Sequence, residues 1–220
     1  MKELPRKHMT SRRGRRGFEL APECLNDTSS ITAFLRTRRS AEPALIGAPG
    51  PDAEQLAILL ETAARVPDHG KMEPWRFIVL KDAPREAFAR MVKARWMALN
   101  PGEEPDRRAQ YDLIARIPLI IVVVSRAREH PKIPKWEQYL SAGASCMALV
   151  TAATAMGLGA QWRSSWMAED EEIMRALGLE EEETIAGFVF IGALDESQPR
   201  SDRRRPYWRD LTTFWEPPAG

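Results

Sequence analysis

The chain has 220 residues, 44% of them hydrophobic and 29% charged, with a formal net charge of +1. Those values suit a globular enzyme of one domain, not a disordered or a strongly basic chain. Its two cysteines, Cys24 and Cys146, lie far apart with no CxxC or Cys/His cluster, which excludes a zinc site and a disulfide framework and makes a reducing cytoplasm the expected compartment.

Along the chain, residues 1–28 read as a flexible basic leader, because residues 1–16 carry +6 and the remainder carries −5. The leader has no apolar core segment of the kind a secretory signal needs. Its charge would suit nucleic acid, yet the rest of the chain has no basic, aromatic-studded face, so a nucleic-acid partner is not expected. Residues 29–220 form the folded domain. A short helix is predicted over 29–39, with Thr28 and Ser29 as N-caps, then a Pro/Gly loop to Pro51 and a helix from Asp52 to about Val66.

The nine residues Pro67-Asp68-His69-Gly70-Lys71-Met72-Glu73-Pro74-Trp75 carry two prolines and a glycine and run into an apolar strand at 76–81. Prolines bias the residues before them to extended geometry, so this is a shaped loop, and such loops on a rigid scaffold are where binding concentrates. Helices near 84–98 and 106–115 follow, then a buried strand at Leu119–Val124 marked by β-branched density. A long helix is predicted over 136–157. Most of it falls in Gln138–Trp162, which has no charged residue and is long enough to span a bilayer, but its serines, threonines, glycines and alanines suit a helix packed against protein. A helix opening at 169–172, a strand over 185–194 and an Arg-rich tail complete the chain. Helices outnumber strands without regular alternation, which predicts an α+β fold with a small central mixed or antiparallel sheet flanked by helices.

Gly157-Leu158-Gly159 imitates a dinucleotide fingerprint, but Trp162 stands at the third glycine position and the pair ends a helix instead of opening one. Arg38-Arg39-Ser40 can grip a phosphate through forked, charge-assisted hydrogen bonds, or can be a solvated helix end. Trp162-Arg163-Ser164 after the glycine turn supplies an aromatic face, a cation and a hydroxyl, or a core tryptophan beside a surface arginine. His69 alone reads as a local hydrogen-bonding residue. No Ser/His/Asp or Cys/His arrangement is legible, and three histidines in all argue against a metal site. A phosphate grip, a shaped loop and an aromatic-cation turn without a nucleophile together suit a bound cofactor that carries the chemistry.

With those segments in that order, and with Pro134-Lys135-Trp136-Glu137-Gln138 between them, residues 30–195 resemble the YdjA-like branch of the nitroreductase family. The resemblance implies a homodimer with FMN at the subunit interface. Arg38, Arg39, Ser40, Trp162, Arg163 and Ser164 would bind FMN from one subunit, while Arg65 and His69 would reach the FMN held mainly by the partner. Residues 152–157 match the segment assigned to NAD(P). Glu73 departs from the family's usual glutamine and brings a carboxylate near the site. The implied activity is hydride transfer from NAD(P)H through FMN to an electron-poor small molecule such as a nitro compound or quinone, in ping-pong order and with no catalytic side chain. The competing expectations are a non-catalytic flavin-binding or nucleic-acid-associated protein that uses the leader, and a specialised flavin dehalogenase or dehydrogenase.

Overall fold

The computed structural model describes residues 17–102, 112–198 and 200–218, together with the backbone of 6–9. In chain order the strands are β1 (Arg6–Met9), β2 (Gly17–Leu20), β3 (Ile46–Gly47), β4 (Trp75–Lys81), β5 (Leu119–Ser125), β6 (Leu158–Arg163), β7 (Thr184–Leu194) and β8 (Arg205–Pro206). The α-helices are α1 (Ile31–Thr37), α2 (Ala53–Ala63), α3 (Asp82–Leu99), α4 (Lys135–Ala155) and α5 (Glu171–Ala176). They fall into two compact units, residues 40–196 and a smaller one made of residues 1–39 with 197–220.

In the larger unit β4, β5 and β7 lie side by side in that order, and β3 and β6 both pair with β7. Every pairing is antiparallel. The expectation of a mixed or antiparallel sheet thus resolves to the second form. All seven residues of β5 are buried, and successive side chains pass to opposite faces. Ile120, Val122 and Val124 join Phe88 and Val92 of α3, Ile173 of α5, and Phe188 and Phe190 of β7. Leu119, Ile121 and Val123 join Leu59 and Ala63 of α2 and Cys146, Leu149, Val150 and Ala153 of α4. Helices therefore cover both faces, which is why β5 reads as one apolar run and not as an alternation.

The uncharged helix α4 owes its small polar residues to this packing. Ser145 is fully buried and donates to Ala63 O at 2.8 Å, and Ser141 donates to Pro67 O at 2.5 Å. Gln138 is 2% exposed; its amide donates to Arg128 O and Ile133 O and accepts the Arg128 N–H. Among the described residues no helix is long and apolar enough to cross a membrane. Burial pushes the Cys146 thiol up to about 12, so it stays a protonated packing group.

Glu183, just ahead of β7, takes a two-pronged hydrogen bond from Arg76 of β4 at 2.7 and 2.6 Å. The Arg76 guanidinium holds this carboxyl below its ordinary pKa despite its burial.

Two expectations differ from the structure. Residues 158–163, to which the sequence gives only a glycine turn at 157–159 and no strand, form β6 by pairing with the edge of β7. The helix expected near 106–115 lies mostly outside the described residues, and Ile114–Arg116 is a single 3₁₀ turn. In the smaller unit β2 pairs with β1 and with β8. Within the segment read as a leader, Leu20 and Leu25 are buried.

Candidate functional site

Arg38 and Arg39 follow α1 in the smaller unit. Ser30 caps that helix by accepting the Ala33 N–H at 3.1 Å. The helix ends where Arg38 turns to extended backbone, its N–H still bonded to Phe34 O. The Arg39 backbone N–H donates to Asn26 Oδ1 at 2.8 Å, its Nε donates to Ser201 O at 3.2 Å, and the same Nε lies 4.0 Å from Asp202 Oδ1. Asn26 has φ +57°, a left-handed conformation that asparagine tolerates better than most residues.

The Arg-rich tail, which the sequence left without a place, comes in here. Asp202 has a side chain 1% exposed, accepts the Leu20 N–H at 3.1 Å and takes Arg205 Nε and Nη2 at 3.2 and 3.1 Å. Arg205 also reaches Arg38 O at 3.5 Å. Burial first, and then the charges of Arg205, Arg203 and Arg39, push the Arg38 guanidinium below its ordinary pKa. Cations placed near one another repel, and the buried Asp202 carboxylate offsets part of that charge. The only signal for this cluster in the sequence is the density of arginine over residues 200–209.

In the larger unit the shaped loop follows α2. Arg65 is exposed just beyond the helix end. The single 3₁₀ turn His69–Lys71 contains Gly70 at φ +71°, and Lys71 and Glu73 are also left-handed, at φ +54° and +48°. The positive φ favours glycine there, and a β-carbon on Gly70 would also press on the Ile133 Cδ1 methyl at 2.4 Å. His69 Nδ1 lies 2.7 Å from Glu137 Oε2 in the first turn of α4. A carboxylate only accepts, so Nδ1 carries the hydrogen and Nε2 is left to face outward on a side chain 62% exposed. Glu73 and Trp75 help line a cavity of about 510 Å³ whose other walls include Leu60, Phe77 and Val79.

Trp162, Arg163 and Ser164 come from the end of β6. The Trp162 indole N–H donates to Ala186 O at 3.1 Å. On one side a β-carbon at Gly187 would lie 2.0 Å from its Nε1; on the other, one at Gly143 of α4 would lie 3.6 Å from its Cη2. Gly187 thus leaves the room the ring occupies, Gly143 lies at ordinary contact distance, and 41% of the residue stays exposed. Arg163 is half-buried with its guanidinium carbon 6.0 Å from the centre of the Phe190 ring, and Ser164 is exposed. Helix α4 is what the loop and this turn share: its first turns hold Pro67 and His69, and Gly143 meets Trp162. Ser40 is half-buried at the first position of the larger unit, one residue before Ala41 donates its N–H to Ala160 O of β6. Residues 152–157 are the last turn of α4 and its glycine stop, with Ala153 and Thr154 buried.

Comparison with known proteins agrees with this architecture. The chain is 37% identical over 159 residues to "Putative NAD(P)H nitroreductase YdjA" of Escherichia coli (strain K12), a match covering 72% of this chain and 85% of that protein. The fold is that of a nitroreductase-like family protein from Bacillus cereus, with TM-score 0.70 at 22% identity over 86% of this chain and 97% of the other. It is also that of a nitroreductase with bound FMN from Bacteroides fragilis NCTC 9343, with TM-score 0.60 at 18% identity over 83% and 96% of the two chains. Residues 35–193 match the family model for the nitroreductase family, and the chain belongs to that family.

Proposed function

We propose that this protein is an FMN-dependent oxidoreductase that draws electrons from NAD(P)H. The observation that carries the reading is the arginine cluster around Arg38, where Arg39, Arg203 and Arg205 gather near the buried Asp202. A flavin phosphate would offset the mutual repulsion of these guanidiniums, and Ser40 would add a hydroxyl donor. Trp162, fixed through its N–H and still exposed, would offer an aromatic surface beside the isoalloxazine; the cation Arg163 stands next in the strand, its guanidinium over Phe190 on the other sheet face. Arg65 and His69 would meet the cofactor of the partner subunit. Bound FMN would supply the hydride chemistry, in ping-pong order between NAD(P)H and an electron-poor acceptor such as a nitro compound or quinone. The relatives named above as a nitroreductase and as a nitroreductase with bound FMN support the same reading.

Purified protein titrated with FMN and with riboflavin tests it. FMN is expected to bind more tightly than riboflavin, and Arg38→Ala should remove about 10- to 100-fold of FMN affinity, the worth of a charge-assisted hydrogen bond, while leaving riboflavin nearly unchanged. The flavin band should bleach anaerobically on adding NADH or NADPH. Failure of the protein to bind FMN would end this reading.

A homodimer is part of the proposal. Trp136, Tyr139, Leu140 and Met147 recur at helical spacing on α4 and are 61%, 45%, 66% and 40% exposed. A solvent-facing stripe of that kind marks an interaction surface. Light scattering should give twice the chain mass, and Leu140→Glu with Met147→Glu should halve it. A monomeric parent chain would remove the dimer from the proposal.

A further inference from the structure

Three consecutive exposed residues, His69, Gly70 and Lys71, are held in one shape although none belongs to the core. The shape is costly. Lys71 and Glu73 both have left-handed backbone, at φ +54° and +48°, a region that crowds the β-carbon of an L-residue. Such conformations persist only where the surroundings over-determine them, and they collect where placement matters to function.

What over-determines them is Asp68. Its half-buried carboxylate uses one oxygen for the Met72 N–H at 2.9 Å and the other for the Glu73 N–H at 3.0 Å. Each bond reaches forward across the left-handed residues and closes the loop on itself. External partners then fix the closed loop in place: Ser141 holds Pro67 O, Glu137 holds His69, and Ile133 packs against Gly70. We propose that Asp68 is a positioning residue for the cofactor site, clamping the loop so that His69 and Lys71 are presented rigidly to the ligand. The role assigned to the ligand rests on the FMN reading above; the clamp itself rests on the loop geometry.

Asparagine cannot replace this carboxylate. Its single carbonyl oxygen would accept one N–H, and its amide would set a donor against the other. Glycine at positions 71 and 73 should make the clamp unnecessary, because glycine enters the left-handed region without a β-carbon penalty.

The test compares the parent chain, Asp68→Ala, Asp68→Asn, and Asp68→Ala combined with Lys71→Gly and Glu73→Gly. FMN and riboflavin affinities are read by flavin fluorescence. Trypsin cleavage after Lys71 is read in the parent chain and in the two single variants. Both single variants should lose about tenfold in affinity, the scale set by a lost hydrogen bond to a charged group. The loss should be equal for FMN and riboflavin, since the phosphate grip is untouched. Cleavage after Lys71 should accelerate, and the added glycines should recover most of the lost affinity. A merely destabilised fold would lower the melting temperature and speed cleavage at many sites together, whereas loss of the clamp speeds cleavage after Lys71 selectively. Parent-like affinity in Asp68→Ala, or no recovery with the glycines, would overturn the proposal. Should the parent chain bind neither flavin, the cofactor reading falls alone; faster cleavage in Asp68→Ala then still supports the clamp, and unchanged cleavage overturns it.

Discussion

Gly187→Ala is expected to weaken flavin binding by about tenfold or more, the order of loss that follows from misplacing a ligand-positioning group by an ångström. The added methyl would fall 2.0 Å from Trp162 Nε1 and 2.4 Å from Cδ1. Backbone strain is not the issue, since Gly187 has no left-handed φ; the space is simply filled by the ring. To make room the indole has to swing off Ala186 O, giving up the 3.1 Å hydrogen bond that orients it. Overpacking of this kind costs about 1–3 kcal/mol of stability, which a thermal melt would register. Gly143→Ala is the matched control, because its methyl would sit at an ordinary 3.6 Å from the same ring. Flavin fluorescence titrations of the two variants decide the matter. Equal affinities would show that the placement of Trp162 is irrelevant to binding.

The neighbouring residue on the same strand should behave in the opposite manner. Phe188 is fully buried on the sheet face covered by α3, its ring centroid 5.8 Å from that of Phe88. Phe188→Ala leaves a cavity that rigid strands on both sides cannot fill, and such truncations cost about 3–5 kcal/mol. In a chain of this size that loss lowers Tm by roughly 6–20 °C. The folded fraction should keep Trp162 in place, because Phe188 points to the opposite face, where its cross-strand neighbour is Arg163. A melt shifted by less than a few degrees would mean that the core collapses around the missing ring. Two adjacent positions of β7 therefore divide the work: one shapes the site and the other holds the sheet together.

How much of this was legible in advance depended on whether the cause was local. β5 was plain from Leu119 to Val124 because β-branched residues buried on both faces leave no polar positions. The long helix was plain from its small uncharged residues, although which carbonyls Ser141 and Ser145 would meet was not. β6 was hidden: Leu158-Gly159-Ala160-Gln161-Trp162-Arg163 has no β-branched residue, and it is a strand because β7 pairs with it. The Arg38-Arg39-Ser40 motif could be read, but not its neighbours. Asp202 and Arg205 arrive from the far end of the chain, and no local pattern announces an encounter between residues so distant in sequence. His69 stands out in the sequence, yet its partner Glu137 lies 68 positions away, and a lone histidine carries no sign of what will orient it. The left-handed residues Lys71 and Glu73 were equally silent, since side chains of those types are usually found elsewhere in φ/ψ space.

The seat of β5 between β4 and β7 has a consequence for how the chain is made. Synthesis delivers β4, α3 and β5 first, and these can associate as soon as they emerge. The other edge of β5 is closed only by β7, which follows α4, β6 and α5. Until then a fully apolar strand presents unpaired backbone along one side, the arrangement most prone to joining a strand of another nascent chain. Native pairing must wait for distant residues, so this step is slow for topological reasons. Lowering the temperature or the rate of synthesis is therefore expected to raise the soluble yield, and an unchanged ratio of soluble to aggregated chain across expression temperatures would count against this order of events.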